Sequence, residues 1–195
     1  MKKKKNGSGE WQPMDENGRF ASNDSMEKSF DDFGGARKQL SFRNQLEQVQ
    51  AGTFNTKTNL IFGNTPAIFV EKAGLPNLPM TMPYKKAYLA MNDSGIFVGK
   101  GDHYHGLGID TLSQLPVALQ DPLYIFESPK DKQVEAVVSL KGKNGVNVFA
   151  VIAFDTRSEI DGKYKKSNVV VTAYAPDSKR YIESRRVNTI YEKKS

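Results

Sequence analysis

Between Leu123 and Ala175 the chain carries four runs crowded with β-branched and aromatic residues. They are Leu123–Glu127, Val134–Leu140, Val146–Phe154 and Asn168–Ala175. Such residues suit a pleated, half-buried surface, so this stretch is expected to form a sheet. The second and third runs are joined through Lys143-Asn144-Gly145. Asn-Gly readily takes the left-handed conformations of a tight hairpin turn, which makes those two strands antiparallel neighbours. Val146, Val148, Ala150 and Ile152 alternate with Asn147, Phe149, Val151 and Ala153. Both faces of that strand therefore carry apolar groups and are expected to be covered.

The segments before the sheet read mainly as helix. From Arg37 to Ala51, Leu40, Leu46 and Val49 lie near helical spacing, and Gly52 stands where a C-terminal cap belongs. Asn59–Gly63 reads as a short strand or turn. Thr65-Pro66 suits the start of a helix running to Ala73, closed by Gly74. Leu75 to Pro83 holds three prolines, each biasing the residue before it away from helix, and is expected to be irregular. Tyr84–Met91 forms a further helix. Ile109, Leu112, Leu115 and Leu119 mark another, which Pro116 should kink or split in two. Asp177–Arg186 reads as a helix and Val187–Tyr191 as a last short strand. Helices followed by an antiparallel sheet imply an α+β architecture.

Residues 1–36 differ from the rest. Lys, Gly, Ser, Asn and Asp surround isolated Trp11, Phe20, Phe30 and Phe33 without a period. So little apolar surface cannot offset the entropy of ordering, so a disordered tail or linker is expected, with a single domain over 37–195. No apolar run is long enough to span a membrane, and Lys2–Lys5 is followed by Asn-Gly-Ser-Gly rather than a leader's apolar stretch. Without cysteine, thiol catalysis and disulfides are excluded. The net charge of +6 is concentrated late: nine Lys and Arg follow Lys163, that residue included, against Asp177, Glu183 and Glu192. That balance suits an anionic partner such as nucleic acid, or simply a solvated basic face.

His103 and His105 are the two histidines of the chain, set in the loop Gly101-Asp-His-Tyr-His-Gly-Leu-Gly108. Imidazole is the side chain that exchanges protons near neutrality without large tuning, so general acid–base service leads. A metal site completed by Asp102, Asp110 or Asp121, and two incidental surface histidines, are the alternatives. Lys141, Arg157, Arg185 and Arg186 are candidates to neutralise phosphate, Arg offering a planar fork that matches phosphate oxygens. Tyr164, Tyr174, Tyr181 and Tyr191 are interleaved with basic residues and could stack bases or pack a core. No P-loop, dinucleotide-binding glycine pattern, His-Glu-x-x-His or Gly-x-Ser-x-Gly elbow occurs.

Several stretches together resemble the MuF C-terminal type of domain. These are Pro79-Met-Thr-Met, His105-Gly-Leu, Leu112-x-x-Leu115-Pro116-x-x-Leu119-x-Asp121-Pro122-x-x-Ile125-Phe126-x-Ser128, Val148-x-Ala150-Val-Ile152 and Val187-Asn188-Thr-Ile190-Tyr191. Such domains end phage head-morphogenesis polyproteins and bacterial polymorphic toxins, and are grouped with barnase-, EndoU-, colicin- and RelE-like nucleases. The resemblance, over about residues 55–195, implies N-terminal helices packed on a four-stranded antiparallel sheet. It also implies RNA cleavage by 2′-OH attack needing no cofactor or metal, or alternatively a non-enzymatic phage head-associated or injected protein. On the enzymatic reading His105 moves one proton, with His103 as its partner and Arg185 stabilising phosphorane charge. Thr189 and Tyr191 orient the phosphate or stack a base. Arg157, Lys141, Arg186 and Asn188 then bind substrate. The working place would be the cytoplasm of a host or target cell, reached by phage or a secretion system. A toxic chain would have a cognate immunity protein, to which an acidic surface would suit.

Overall fold

The computed structural model of the protein describes residues 3–5, 11–13 and 41–194, and the chain divides into two units, residues 1–40 and 41–195. In the first unit β1 (Lys3–Lys5) pairs antiparallel with β2 (Trp11–Pro13). The remainder of the tail expected over 1–36, and residues 37–40 of the first expected helix, lie outside the described residues.

The second unit is built on a seven-stranded sheet. Its strands are β3 (Asn59–Asn64), β4 (Pro79–Pro83), β5 (Tyr124–Glu127), β6 (Gln133–Lys141), β7 (Asn147–Ile160), β8 (Lys163–Tyr174) and β9 (Thr189–Glu192). They lie in the order β3-β4-β8-β7-β6-β5-β9. Every pairing is antiparallel except β4 with β8, where Met80 meets Asn168 and Thr81 meets Val169. The expected four-stranded antiparallel sheet beneath N-terminal helices is therefore corrected: the sheet has seven strands, is mixed, and begins before residue 60. The prolines do not prevent β4, because Pro79 and Pro83 occupy its two ends while Met80, Thr81 and Met82 are buried between them. β7 and β8 also run past their expected ends, since Asp161 (φ 51°) and Gly162 (φ 74°) close them with a tight left-handed turn.

Among the described residues, six α-helices accompany this sheet. Helix α1 (Phe42–Gln50) is capped by Ser41, whose Oγ accepts from the Asn44 N–H at 3.2 Å, and buries Phe42, Gln45, Leu46 and Val49 on one side. The Gln45 amide both donates to the Ile61 carbonyl (3.1 Å) and accepts from the Ile61 N–H (2.8 Å), so it serves β3 as a missing strand would. Helix α2 (Ala67–Ala73) ends at Gly74 in the left-handed conformation (φ 67°) and touches β9, so the two ends of the sheet curl towards one another. Helix α3 (Tyr84–Met91) precedes the histidine loop. The pattern around Pro116 is indeed broken, into α4 (Gly108–Ser113) and α5 (Leu115–Ala118). Helix α6 (Lys179–Arg185) runs into a 3-10 turn (Arg186–Asn188) before β9.

Each face of the sheet has its own apolar cluster. The larger joins Leu46, Leu60, Phe69, Met82, Leu112, Leu115, Ile125, Ile152 and Val170 beneath α1–α5. The smaller holds Phe126, Val137, Val146, Phe149 and Ile182, the last of these from α6. Where β4 joins β8, buried Thr81, Ser158 and Ser167 share hydroxyl hydrogen bonds: Ser167 to Ser158 is 2.6 Å and Thr81 to Ser167 is 3.3 Å. Asn59 Nδ2 donates to Thr81 Oγ1 at 3.2 Å.

Candidate functional site

The histidine loop is held by the end of α3. A helix leaves its last carbonyls without partners, and here the N–H groups of His105, Gly106 and Leu107 donate to Leu89, Asn92 and Ala90, each at 2.9 Å. Gly106 adopts φ 59°, and a Cβ there would fall 2.0 Å from Asp93 Oδ1. Tyr104 Oη accepts from the Phe97 N–H (2.9 Å) and donates to the Phe97 carbonyl (3.1 Å), closing the loop on itself.

That anchoring sets the half-buried His105 ring against β8. Its Nε2 lies 3.2 Å from Thr172 Oγ1, and its centroid is 5.3 Å from that of Tyr174. With Lys86, Leu89, Gly101 and the exposed His103, these side chains line a cavity of about 250 Å³. Burial, together with the charges of His103 and Lys86, pushes the His105 imidazole below its ordinary range. Tyr174 donates to Tyr181 Oη at 3.2 Å. Its phenol is pushed well up by burial and by that hydrogen bond, Glu135 adding to the effect and Arg185 opposing it.

Strand register carries the same surface across the sheet. Thr172 pairs with Val151, Val151 with Glu135, Glu135 with Phe126 and Phe126 with Thr189. Directly paired residues share a face, so these five form one row. Glu135 is 6% exposed, and Arg185 from α6 reaches its Oε2 through both Nε and a terminal nitrogen at 2.8 Å. Arg185 also donates to the Glu127 carbonyl at 3.2 Å, and Ser128 Oγ donates to Glu135 Oε1 at 3.4 Å. Between Glu135 and Thr172 the floor is Val151, which is half-buried. Two strand spacings separate those outer residues, roughly 10 Å.

The remaining predicted residues fall in different places. Arg186 stacks over the Tyr124 ring (5.2 Å) and donates to its hydroxyl at 2.5 Å. Thr189 Oγ1 donates to the Arg186 carbonyl, and Asn188 is exposed beside it. Tyr191 pairs with Ile125 and packs on the larger cluster, on the face opposite Thr172. Arg157 pairs with Lys166 and lies over Tyr164. Lys166 is six residues from Thr172 along β8, roughly 20 Å. Lys141 donates to Asn147 at 2.6 Å at the Asn144-Gly145 end. The structure thus brings His105, His103 and Arg185 toward one region and leaves Arg157 and Tyr191 elsewhere.

The aspartates weighed as metal ligands each meet a cation instead. Asp102 pairs with Lys85 (2.8 Å), Asp110 with Arg43 (2.9 Å) and Asp121 with Lys193. Among the described residues no three His, Asp or Glu converge as a metal site would require. A larger cavity of about 480 Å³ lies beside Tyr84, Lys85 and Phe97, but no imidazole or carboxylate lines it. The residues that sequence reasoning missed are Glu135, Thr172 and Lys86. Glu135 did carry a signal, a carboxylate enclosed by Val134, Ala136, Val137 and Val138, since a charge in such a strand needs a partner.

Residues 98–195, half of the chain, match the family model described as the phage MuF-C-terminal domain. The match spans the histidine loop, α4–α6 and β5–β9, while α1–α3 and the β3–β4 hairpin precede it. No curated protein and no solved structure matches the chain. No helix among the described residues is long and apolar enough to cross a membrane.

Proposed function

As this chain belongs to the phage MuF-C-terminal domain family, we propose that it cleaves RNA on the sheet face bearing Thr172 and Glu135. The observation that carries this reading is the placement of His105 at a small cavity, its ring against Thr172 and with Lys86 and His103 beside it. A neutral imidazole at pH 7 is a competent base. It takes the proton of a ribose 2′-OH while the 2′-oxygen bonds to the adjacent phosphorus. The P–O5′ bond breaks, the leaving oxygen takes a proton from His103 or water, and a 2′,3′-cyclic phosphate remains. Lys86 supplies positive charge at the cavity.

Arg185 enters differently from a free phosphate fork, because Glu135 already occupies it. In this reading the pair fixes the far wall of the site, and Arg185 offers a phosphate only the donors that Glu135 leaves. That engagement is also the observation that favours a second reading, a protein that binds nucleic acid without cutting it.

Purified protein incubated with total RNA and excess EDTA should give products ending in 2′,3′-cyclic phosphate. His105→Ala should lose about 2–4 orders of magnitude of that cleavage. Retained binding without products favours the second reading, and undiminished cleavage by His105→Ala removes the histidine from the chemistry. On the cleaving reading, the working place is wherever the RNA is, the cytoplasm of a host or target cell.

A further inference from the structure

A histidine has two ring nitrogens, and which one faces the substrate is set by what holds the other. The structure distinguishes them at His105. Nε2 is turned into β8 and meets Thr172 Oγ1 at 3.2 Å. Among the described residues no side-chain nitrogen or oxygen is both buried and without a hydrogen-bond partner. Nδ1, which has no such partner, therefore keeps some exposure, and His105 lines the cavity shared with Lys86 and His103. The backbone bonds of His105 to Leu89 and of Gly106 to Asn92 fix the point from which the ring reaches β8, and Tyr174 stands 5.3 Å from the ring centre.

We infer that Nδ1 is the proton-exchanging atom of His105, and that Thr172 is the positioning residue that makes it so by accepting Nε2–H. In the neutral ring the proton sits on Nε2, donated to Thr172 Oγ1, which leaves the Nδ1 lone pair facing the cavity. When Nδ1 takes a proton, the imidazolium keeps its Nε2–H···Oγ1 bond, so one geometry serves both charge states. Ordinary isolated imidazole has no such constraint and populates both tautomers. The assignment of Nδ1 as the reacting atom rests on the cleavage reading, whereas the tautomer assignment does not.

The test uses the full chain. Two histidines give two imidazole spin systems, and a His103→Asn variant assigns them. Two-bond proton–nitrogen correlation spectra, recorded well above the ring's titration, report the tautomer directly. His105 is expected as a single Nε2–H species, with Thr172→Val relaxing it to a mixture and Thr172→Ser restoring it. A His105 protonated on Nδ1, or a tautomer unaltered in Thr172→Val, overturns the inference. Should Thr172→Val fail to fold, the wild-type tautomer and Thr172→Ser still decide it. In cleavage assays Thr172→Val should lower kcat about tenfold at unchanged KM, the scale of one hydrogen bond, with Thr172→Ser recovering most of it. If wild type cuts no RNA, the cleavage reading fails while the spectra still decide the tautomer.

Discussion

At pH 7 the His105 ring is neutral because burial, His103 and Lys86 all disfavour its protonated form. Acting as a base, it should give a cleavage rate that rises with pH through a value below 6.5 and then levels off. Lys86→Met removes one of the lowering charges, so the inflection of the pH–rate curve should move upward. An inflection left in place would separate Lys86 from the ring. The same depression bears on stability: the unfolded ring binds protons more readily, so the contribution is present above about 6.5 and is lost as pH falls through the folded value. Glu135 is buried beneath Arg185, whose side chain is 17% exposed and bonds its carboxylate. Glu135→Gln strands that guanidinium and should cost about 3 kcal/mol, read from urea denaturation. Adding Arg185→Met should recover most of the loss, and a Glu135→Gln protein as stable as wild type would deny the pair its structural part.

Among the elements, the joint between β4 and β8 holds the first hairpin to the rest of the sheet. Thr81 centres it, with Asn59, Ser158 and Ser167 around one hydroxyl. Thr81→Val keeps the shape and leaves those buried partners short of a hydrogen bond, so a loss of about 1–3 kcal/mol is expected in thermal melting. A neutral substitution would mean that the serines satisfy one another. This joint was not legible in the sequence. Three prolines in Leu75–Pro83 argue against a strand, and nothing local says that two of them fall at its ends. The strands from Leu123 onward were legible, because Asn144-Gly145 and the alternation of Val146–Ala153 are local signals. Asp161-Gly162 was an equally local signal, and it explains why β7 and β8 exceed their expected lengths. The site divides in the same way. His105 could be singled out from residue chemistry alone, but its contact with Thr172 and the row leading from Thr172 to Glu135 depend on register across three strands. Tyr191 is a matter of register too: a bulge pairs it with Ile125 and Thr189 with the next residue, Phe126, so the two lie on opposite faces.

For the molecule as a whole, the family match and the folding unit do not coincide. The match begins at Val98, yet the larger core includes Leu46, Leu60, Phe69, Met80 and Met82, all earlier in the chain. A fragment of residues 98–195 would expose the apolar faces of β7 and β8 that those residues cover. It should lack cooperative unfolding and bind a hydrophobic dye, whereas residues 41–195 should melt in one transition. A folded, cooperative 98–195 fragment would show that the smaller cluster suffices.

The contact between α2 and β9 joins residues near 70 to residues near 190. During synthesis, therefore, the sheet cannot close until Thr189–Glu192 has left the ribosome, and Arg185 reaches Glu135 only shortly before. Contacts so distant in sequence form slowly. A nascent chain thus carries its histidine loop without the wall that faces it until Lys179–Glu192 has been added, and whatever chemistry needs that wall waits on those residues.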